Sequence, residues 1–307
     1  MTSVSVVVPV YNSEPSLEEL VNRLEAVLTG EHEIILVDDG STDGSAAAIR
    51  RIAAAHPRVR GVFLMRNFGQ HNALLAGIRQ ARCETIVTID DDLQNPPEEI
   101  PKLVELLARG NDLVYGKPAR PQHDLWRQAS SRLIRLALGR IIGSRMASIV
   151  SPFRAFRGEL RRAFDNYSGP YVSIDVLLSW GAARVASVDV DHAPRKHGRS
   201  TYRPLKLASH AVNMLTGYST WPLRLASIIG FFFTVFGVGV LTYVVGRYLM
   251  LGYSVAGFPF LASIIAIFSG AQLFALGIIG EYLGKVHFRM MDRPPYVIDS
   301  TTADEGR

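Results

Sequence analysis

The sequence predicts an α/β protein in which a largely parallel sheet, covered by helices on both faces, is followed by two membrane-spanning helices. Three observations support this fold class. Short apolar runs alternate with helical patterns from Val4 to about Gly116, three aspartates directly follow one of those runs, and two long uncharged segments occur near the C-terminus. Strands that alternate with helices of this length are typical of a parallel sheet. A chain of 307 residues is long enough for one large domain or two smaller ones.

The predicted strands and helices follow one another in a regular order. Val4–Val10 is an apolar strand, and Pro15–Leu28 has apolar residues at helical spacing. The later elements are strand Glu33–Val37, helix Ser45–Ala55, strand Arg60–Met65, helix Ala73–Ala81, strand Thr85–Ile89, helix Glu98–Ala108 and strand Asp112–Tyr115. We take residues 1–203 as the sheet-containing domain.

Two later segments are predicted to lie in a membrane interface. Ser130–Ile142 has apolar residues on one side and arginines on another, which is the pattern of a basic amphipathic helix. A helix packed on the sheet remains an alternative for this segment. Residues 204–222 form the second segment, in which Tyr218 and Trp221 are suitable interfacial anchors.

Two uncharged segments predict a pair of membrane spans at about 225–246 and 258–279. Between Leu225 and Gly280 the only lysine or arginine is Arg247, and each uncharged stretch reaches the ~20 residues that a span requires. Two buried helices of a soluble protein are the alternative. We take residues 223–280 as the membrane region and 281–307 as a C-terminal tail.

Charge at the ends of the spans predicts their orientation. Basic residues flank both outer ends of the pair, whereas the short connection between the spans carries Arg247 alone. By the positive-inside rule, the sheet domain and both termini lie in the cytoplasm of a multi-pass inner-membrane protein. The chain begins with a strand pattern, which indicates no cleavable signal peptide. A single cysteine, Cys83, fits a reducing compartment.

The net charge of +5 is modest. Because no basic run is interleaved with aromatic residues, we expect binding to anionic lipid or phosphate and no nucleic-acid partner.

The acidic triplet Asp90–Asp92 is the most informative motif. It follows the apolar strand Thr85–Ile89, and open α/β sheets bind ligands beyond the carboxyl ends of their strands. Three adjacent carboxylates repel one another unless a cation lies between them. Mg²⁺ or Mn²⁺ bound by few carboxylates keeps positions open for substrate phosphates. The triplet therefore suggests a metal-bridged nucleotide diphosphate, and a solvated acidic turn is the alternative.

Polar motifs also follow the neighbouring strands. Val8–Glu14 ends the first strand and Val37–Ser45 ends the second, each ahead of a helix. Asp38 or Asp39 is suited to accept a hydrogen bond from a base or a ribose hydroxyl. A plain turn with a helix cap is the alternative for the second motif. Pro96 and Pro97, with the glutamates after them, open a helix and end the acidic loop.

These motifs together resemble glycosyltransferase family 2, whose members have the GT-A, Rossmann-like fold. The matching residues are Pro9, Tyr11, Asn12, Asp38–Ser41, Asp90 and Asp92. Longer matches resemble the polyprenyl-phosphate glycosyltransferases, which include undecaprenyl-phosphate aminoarabinose transferases, glucosyltransferases and, more distantly, dolichyl-phosphate mannose synthases. Those matches are Arg66–Asn72, Asp92–Pro101, Gly270–Gln272, Gly280–Gly284 and Arg293–Pro294.

The resemblance implies roles for particular residues. A nucleotide-sugar, most simply a UDP-sugar, would be bound by Pro9, Tyr11, Asn12, Glu14, Asp39, Arg66, Asp90 and Asp91. Mg²⁺ or Mn²⁺ would be held by Asp90, Asp92 and Gln94. The lipid phosphate would be bound in a basic loop by Arg195, Lys196, Ser200 and Tyr202. Asp92 and Arg195 would carry catalysis. A basic loop that touches lipid headgroups is the alternative for this last segment.

Two departures from the relatives leave the sugar open. Thr201 stands where the relatives usually have a lysine, and residues 148–153 lack the aspartate and glycine that often precede the Phe-Arg pair. The implied reaction is an inverting transfer of one sugar from a nucleotide-sugar to a polyprenyl phosphate. The two isolated spans favour a homo-oligomer. The alternatives are a processive polysaccharide synthase, an inactive scaffold of the same fold and a small transporter subunit. The Gln-x-x-Arg-Trp motif of the processive enzymes is missing from the sequence.

Overall fold

The structure is a computed structural model that describes residues 3–118, 139, 141–169, 171–193, 216–251 and 257–304. The chain divides into two compact units. The first comprises Met1–Ala208 together with Asp292–Arg307, and the second comprises Ser209–Met291. The predicted α/β class with two long C-terminal helices is confirmed.

The first unit contains the sheet and the helices that cover it. Its strands are β1 (Val4–Val10), β2 (His32–Asp38), β3 (Val59–Leu64), β4 (Thr85–Thr88), β5 (Leu113–Pro118), β6 (Arg154–Arg157), β7 (Val185–Val190) and β8 (Ile298–Thr301). Its helices are α1 (Glu14–Val27), α2 (Ser45–Ala55), α3 (Gln70–Gln80), α4 (Ile100–Ala108), α5 (Ser144–Ala147) and α6 (Ile174–Ser179). Short 3₁₀ turns span Pro97–Glu99 and Gly158–Ala163.

Within the described part of the chain, eight strands form one mixed sheet in the order β7-β5-β6-β4-β1-β2-β3-β8. The four adjacent strands β4, β1, β2 and β3 run parallel to one another, and β5 runs parallel to β7. Strand β6 is antiparallel to both β4 and β5, and β8 is antiparallel to β3. The four central parallel strands bring the ends of β1, β2 and β4 to one edge of the sheet, where ligands bind in open α/β folds.

Apolar residues fill both sides of the sheet, as buried parallel strands require. One core cluster packs α1, α2 and α4 against one face, with Leu20, Ile49 and Leu103 fully buried. The other packs α3 and α6 against the opposite face, with Leu75 and Leu177 fully buried. The strands nearest the site are therefore held rigidly from both sides.

All nine elements predicted from Val4 to Tyr115 are present, with small shifts at their ends. Two differences concern the site. Helix α3 begins at Gln70, three residues earlier than predicted, and the helix predicted at Glu98–Ala108 begins as a 3₁₀ turn. Strands β6, β7 and β8 were not predicted. Strand β8 matters most, because it places part of the predicted C-terminal tail in the sheet, where the Gly61 amide donates to the Thr302 hydroxyl at 3.0 Å.

The second unit contains the two long apolar helices α7 (Trp221–Leu251) and α8 (Phe258–Met290). Within them, Trp221–Met250 and Ile267–Met290 are long and apolar enough to cross a membrane. The two helices contact each other where the Phe233 and Phe268 rings meet edge to face at 5.6 Å. Most of the predicted interfacial helix at 130–142, and all of Pro204–Leu215, lie outside the described residues.

Candidate functional site

A cleft of about 250 Å³ opens beyond the ends of β1, β2 and β4 in the first unit. Its lining comes from the end of β1, from the loops after β1, β2, β3 and β4, and from the start of α3. The lining residues are Pro9, Val10, Tyr11, Asp39, Asn67, Gly69, Gln70, Asp90, Asp91 and Asp92. Five of the residues predicted to bind a nucleotide-sugar are therefore close together: Pro9, Tyr11, Asp39, Asp90 and Asp91. Asp92, a predicted metal ligand, lines the same cleft.

The loops after β1 and β2 are joined by hydrogen bonds. The Asn12 amide donates to the Ser41 hydroxyl at 3.0 Å, and the Thr42 amide donates to the Asn12 side-chain oxygen at 2.8 Å. Asn12 has a φ of +53°, a left-handed conformation that asparagine tolerates better than most residues. The predicted residue Asn12 thus joins the loops after β1 and β2, although it does not line the cleft itself.

Asp39 links the loop after β2 to the start of α3. Its carboxylate accepts hydrogen bonds from the amides of Phe68 at 2.7 Å and Gly69 at 2.9 Å. Burial raises the pKa of Asp39 above its ordinary value, although these two hydrogen bonds oppose the shift. The neighbouring Asp38 accepts a hydrogen bond from the Ser41 amide and is absent from the cleft lining, so Asp39 is the better placed of the two.

The three aspartates after β4 have different surroundings. Asp90 accepts a hydrogen bond from the side-chain amide of Gln70 at 2.7 Å. Asp91 accepts from the Tyr11 amide at 3.3 Å, and burial raises its pKa despite the hydrogen bonds it receives from Tyr11 and Ser13. Asp92 accepts from the Gln94 amide at 3.1 Å. Asp91 therefore joins the acidic loop to the loop after β1, while Asp90 and Asp92 remain as the carboxylates suited to a cation.

The donor set fits a divalent metal that is completed by a substrate. Among the described residues, no three His, Cys, Asp or Glu side chains are grouped so as to hold a metal by themselves. Asp90 and Asp92 supply hard oxygen ligands beside an open cleft, with the amide side chain of Gln94 nearby in sequence. Proteins bind Mg²⁺ and Mn²⁺ together with nucleotides at sites where a few carboxylates lie next to space for the phosphates.

Two more of the predicted nucleotide-binding residues, Arg66 and Glu14, also do not line the cleft. The Arg66 guanidinium stacks on the Phe68 ring, 4.3 Å from its centroid, and the Arg66 side chain is exposed. The Glu14 carboxylate lies against Gly44, just before α2, and the Glu14 amide donates to Asp43 at 3.3 Å. Their predicted role in binding remains a hypothesis.

The described residues that precede the predicted basic loop reach the acidic loop. The Ala193 amide donates to the backbone oxygen of Gln94 at 2.9 Å, which holds Ala193 close to the predicted metal ligands. The predicted acceptor residues that follow, Arg195, Lys196, Ser200 and Tyr202, lie outside the described residues.

Sequence reasoning missed three residues that shape the cleft. Gln70 holds Asp90, Asn67 lines the cleft and Gly40 brings the loop after β2 against Arg66. Gly40 has a φ of +67°, and a Cβ there would lie 2.5 Å from the Arg66 carbonyl carbon. All three lie in the matched motifs Asp38–Ser41 and Arg66–Asn72. The sequence therefore indicated the segments that matter but not the role of each of these residues.

Comparison with known proteins agrees with the geometry. Residues 5–167 match the family described as Glycosyl transferase family 2. The undecaprenyl-phosphate 4-deoxy-4-formamido-L-arabinose transferase of Pseudomonas syringae pv. syringae is 40% identical over 96% of this chain and 90% of its own length. The enzyme of the same description from Pectobacterium carotovorum subsp. carotovorum is 38% identical over 98% of this chain and 94% of its own.

Solved structures share the fold. Glucosyl-3-phosphoglycerate synthase from Mycobacterium tuberculosis, in complex with Mn²⁺, uridine diphosphate and glucosyl-3-phosphoglycerate, superposes with a TM-score of 0.52. That match has 20% sequence identity and covers 70% of this chain and 78% of the other. A further crystal structure of a mycobacterial protein gives a TM-score of 0.54 at 21% identity, over 70% of this chain and 73% of the other.

Proposed function

The chain belongs to glycosyl transferase family 2, and from that membership we propose that it transfers one sugar from a nucleotide-sugar to undecaprenyl phosphate at the inner membrane. One observation carries the proposal. The relatives named as undecaprenyl-phosphate sugar transferases align with 96% or more of this chain, so the similarity includes the apolar helices as well as the cleft. Both parts are needed by an enzyme that joins a soluble donor to a lipid acceptor.

The cleft supports a nucleotide-sugar as the donor. The loops after β1 and β2 offer a nucleoside the ring of Tyr11, which is 48% exposed, and the carboxylate of Asp39. Asp90 and Asp92 lie where the diphosphate would be expected, because ligands of open α/β sheets lie beyond the strand ends. A UDP-sugar is our first choice, since the longest matching motifs resemble those of enzymes that use UDP-sugars.

Mg²⁺ or Mn²⁺ would be held by Asp90, Asp92 and Gln94. Such an ion neutralises the charge that develops on a leaving diphosphate. The protein's own contribution is to hold Asp90 in place through Gln70 and the acidic loop in place through Asp91. With those contacts already made, little reorganisation accompanies binding of the donor.

The lipid phosphate acceptor must be positioned by the protein, but it needs little chemical activation. The nucleophile is an oxygen of the lipid phosphate, which is already anionic at neutral pH, so a strong base is unnecessary. Arg195 and Lys196, which follow shortly after Ala193 in the sequence, would neutralise this phosphate. Holding the acceptor oxygen in line with the donor supplies much of the rate enhancement in such bimolecular reactions. Inversion at the anomeric carbon is what the resemblance to the polyprenyl-phosphate glycosyltransferases implies.

A transfer assay tests the proposal. Purified full-length protein with Mn²⁺ would be incubated with undecaprenyl phosphate and radiolabelled UDP- and GDP-sugars, beginning with 4-deoxy-4-formamido-L-arabinose linked to UDP. We expect labelled lipid from one donor. Asp92→Asn should lower the rate about 10²–10³-fold or more, through loss of transition-state stabilisation.

Asp165→Asn is the matched control, because Asp165 is an exposed aspartate away from the cleft, and it should retain the wild-type rate. Absence of a labelled lipid with every donor, together with no metal-dependent binding of UDP or GDP, would contradict the proposed function.

A further inference from the structure

A buried ion pair lies beside the acidic loop, and the reaction outlined above assigns it no role. Arg154 of β6 pairs through Nη1 with Asp175, which is in the first turn of α6. Arg154 is 1% exposed and is among the largest fully buried side chains in the described part of the chain. A buried guanidinium is costly to desolvate, so its presence calls for a reason beyond filling space.

Three neighbouring strands bring the partners of Arg154 together. The register sets Arg154 opposite Thr88 of β4 on one side and opposite Tyr115 of β5 on the other. Arg154 Nε donates to the Thr88 hydroxyl at 3.0 Å, and that hydroxyl donates to the Pro152 carbonyl at 2.7 Å. The Tyr115 hydroxyl donates to Asp175 at 2.9 Å. The contacts with Asp175 and Thr88 fix the guanidinium in position and direction.

This network reaches the cleft through Asp90. Side chains alternate along a strand, and the pairing of β4 extends past Thr88, since the Ile89 amide donates to the Val7 carbonyl at 3.2 Å. Asp90 therefore follows Thr88 on the face that packs against α3 and α6. Gln70 of α3 binds Asp90 on the same side. Burial alone would lower the pKa of Arg154, but the charges of Asp175 and Asp90, with Tyr115, raise it.

We propose that Arg154 is a positioning residue for donor binding, whose fixed guanidinium holds the Asp90 carboxylate against repulsion from Asp91 and Asp92. The inference rests on the proposed function, because it assumes that Asp90 meets the metal or the diphosphate of the donor. Asp175 and Thr88 anchor the guanidinium, and Gln70 completes the hold on Asp90 from α3. Arg154 is too deeply buried to contact the donor itself.

A variant that lacks both charges of the ion pair distinguishes a role in positioning Asp90 from a role in the stability of the protein. A buried ion pair replaced by apolar residues of similar size is often neutral for stability, so Arg154→Met combined with Asp175→Leu should fold and melt near the wild type. We expect its affinity for UDP in the presence of Mn²⁺, measured by calorimetry on the full-length protein in detergent, to fall about 10–100-fold. Wild-type affinity in a folded double variant would overturn the inference.

Two single variants give a second test, which does not depend on the double variant folding. Tyr115→Phe removes a hydrogen bond to Asp175 and leaves the guanidinium in place, so it should bind UDP with Mn²⁺ like the wild type. Arg154→Lys keeps the charge but loses the planar fork, so it should bind more weakly than Tyr115→Phe. Equal affinity for the two variants would overturn the inference.

A double-mutant cycle tests whether Arg154 affects donor binding through Asp90. In an Asp90→Asn background, Arg154→Lys should cause no further loss of affinity, whereas a purely structural role predicts the same loss in both backgrounds. If the wild-type protein bound neither UDP nor GDP with Mn²⁺, the proposed function would fail. If the wild type bound UDP and the variants did not differ from it, only the present inference would fail.

Discussion

The side-chain amide of Gln70 donates to the carboxylate of Asp90 at 2.7 Å, which joins the first residue of α3 to the acidic loop after β4. Gly69, immediately before Gln70, is held by Asp39 from the loop after β2. The start of α3 is thus tied to two of the loops that form the cleft. A carboxylate that is already hydrogen-bonded on one side presents a defined oxygen to a cation on the other.

Replacing Gln70 should weaken donor binding with little effect on stability. Gln70→Leu removes the hydrogen bond to the charged Asp90, an interaction worth about 1.5–3 kcal/mol, so we expect KM for the donor to rise roughly tenfold or more. Gln80→Leu, at the other end of α3, is the matched control and should leave KM unchanged. A Gln70→Leu enzyme with the wild-type KM would show that Asp90 needs no fixing from α3.

Gly40 should tolerate no side chain. Alanine at a left-handed residue costs about 1–2 kcal/mol, and at Gly40 the new Cβ would also lie 2.5 Å from the Arg66 backbone. We expect Gly40→Ala to lower both the melting temperature and the donor affinity, because the Arg66–Asn67 backbone must move. Gly110→Ala isolates the conformational cost, since φ there is +100° and the nearest described atom is an Arg184 nitrogen at 3.6 Å. Equal melting temperatures for the two variants would show that the overlap between the new Cβ and the Arg66 backbone is relieved without loss of stability.

The last strand should contribute measurably to the stability of the sheet domain. Thr302→Val keeps the shape of the side chain but removes the acceptor for the Gly61 amide, which should cost about 1 kcal/mol and lower the melting temperature. Thr301→Val, next to it, removes an exposed contact with Asp304 and should have a smaller effect. An unchanged melting temperature for Thr302→Val would indicate that β8 adds little to the edge of β3.

The sequence predicted the parts of the fold that follow a local period. Strands β1 to β5 and helices α1 to α4 show apolar runs or helical spacing, and both determine which side of an element is buried. Helix α3 was predicted to begin at Ala73 because Gln70, His71 and Asn72 carry no apolar signal. The residue that holds Asp90 was overlooked for that reason.

The elements that were not predicted depend on contacts between distant residues. Strand β6 is only four residues long and contains two arginines, and Arg154 is buried because Asp175 and Tyr115 approach it from other elements. Strand β8 has the sequence Ile-Asp-Ser-Thr, which gives no strand signal, and it pairs with β3 from the far end of the chain. Such pairings are set by the tertiary structure, which a local pattern cannot contain.

The orientation of the membrane helices is the last prediction. Basic residues flank the outer ends of α7 and α8, so the positive-inside rule places residues 252–256 outside and the sheet domain inside. Cys83 is the single cysteine, and Cys83→Ser therefore gives a background free of thiols. In that background, Ser254→Cys should react with a membrane-impermeant maleimide on intact spheroplasts. Asp165→Cys and Asp304→Cys should react only after permeabilisation.

The two internal positions provide matched controls for access and for reactivity. Asp165 and Asp304 both have exposed side chains, so protection of these cysteines in intact spheroplasts, followed by labelling after permeabilisation, can be assigned to the membrane barrier. Labelling of Asp304→Cys before permeabilisation, with Ser254→Cys protected, would reverse the topology. The cleft would then face away from cytoplasmic nucleotide-sugars, and the proposed donor could not reach Asp90 and Asp92. The topology experiment therefore tests the proposed reaction independently of any assay of transfer.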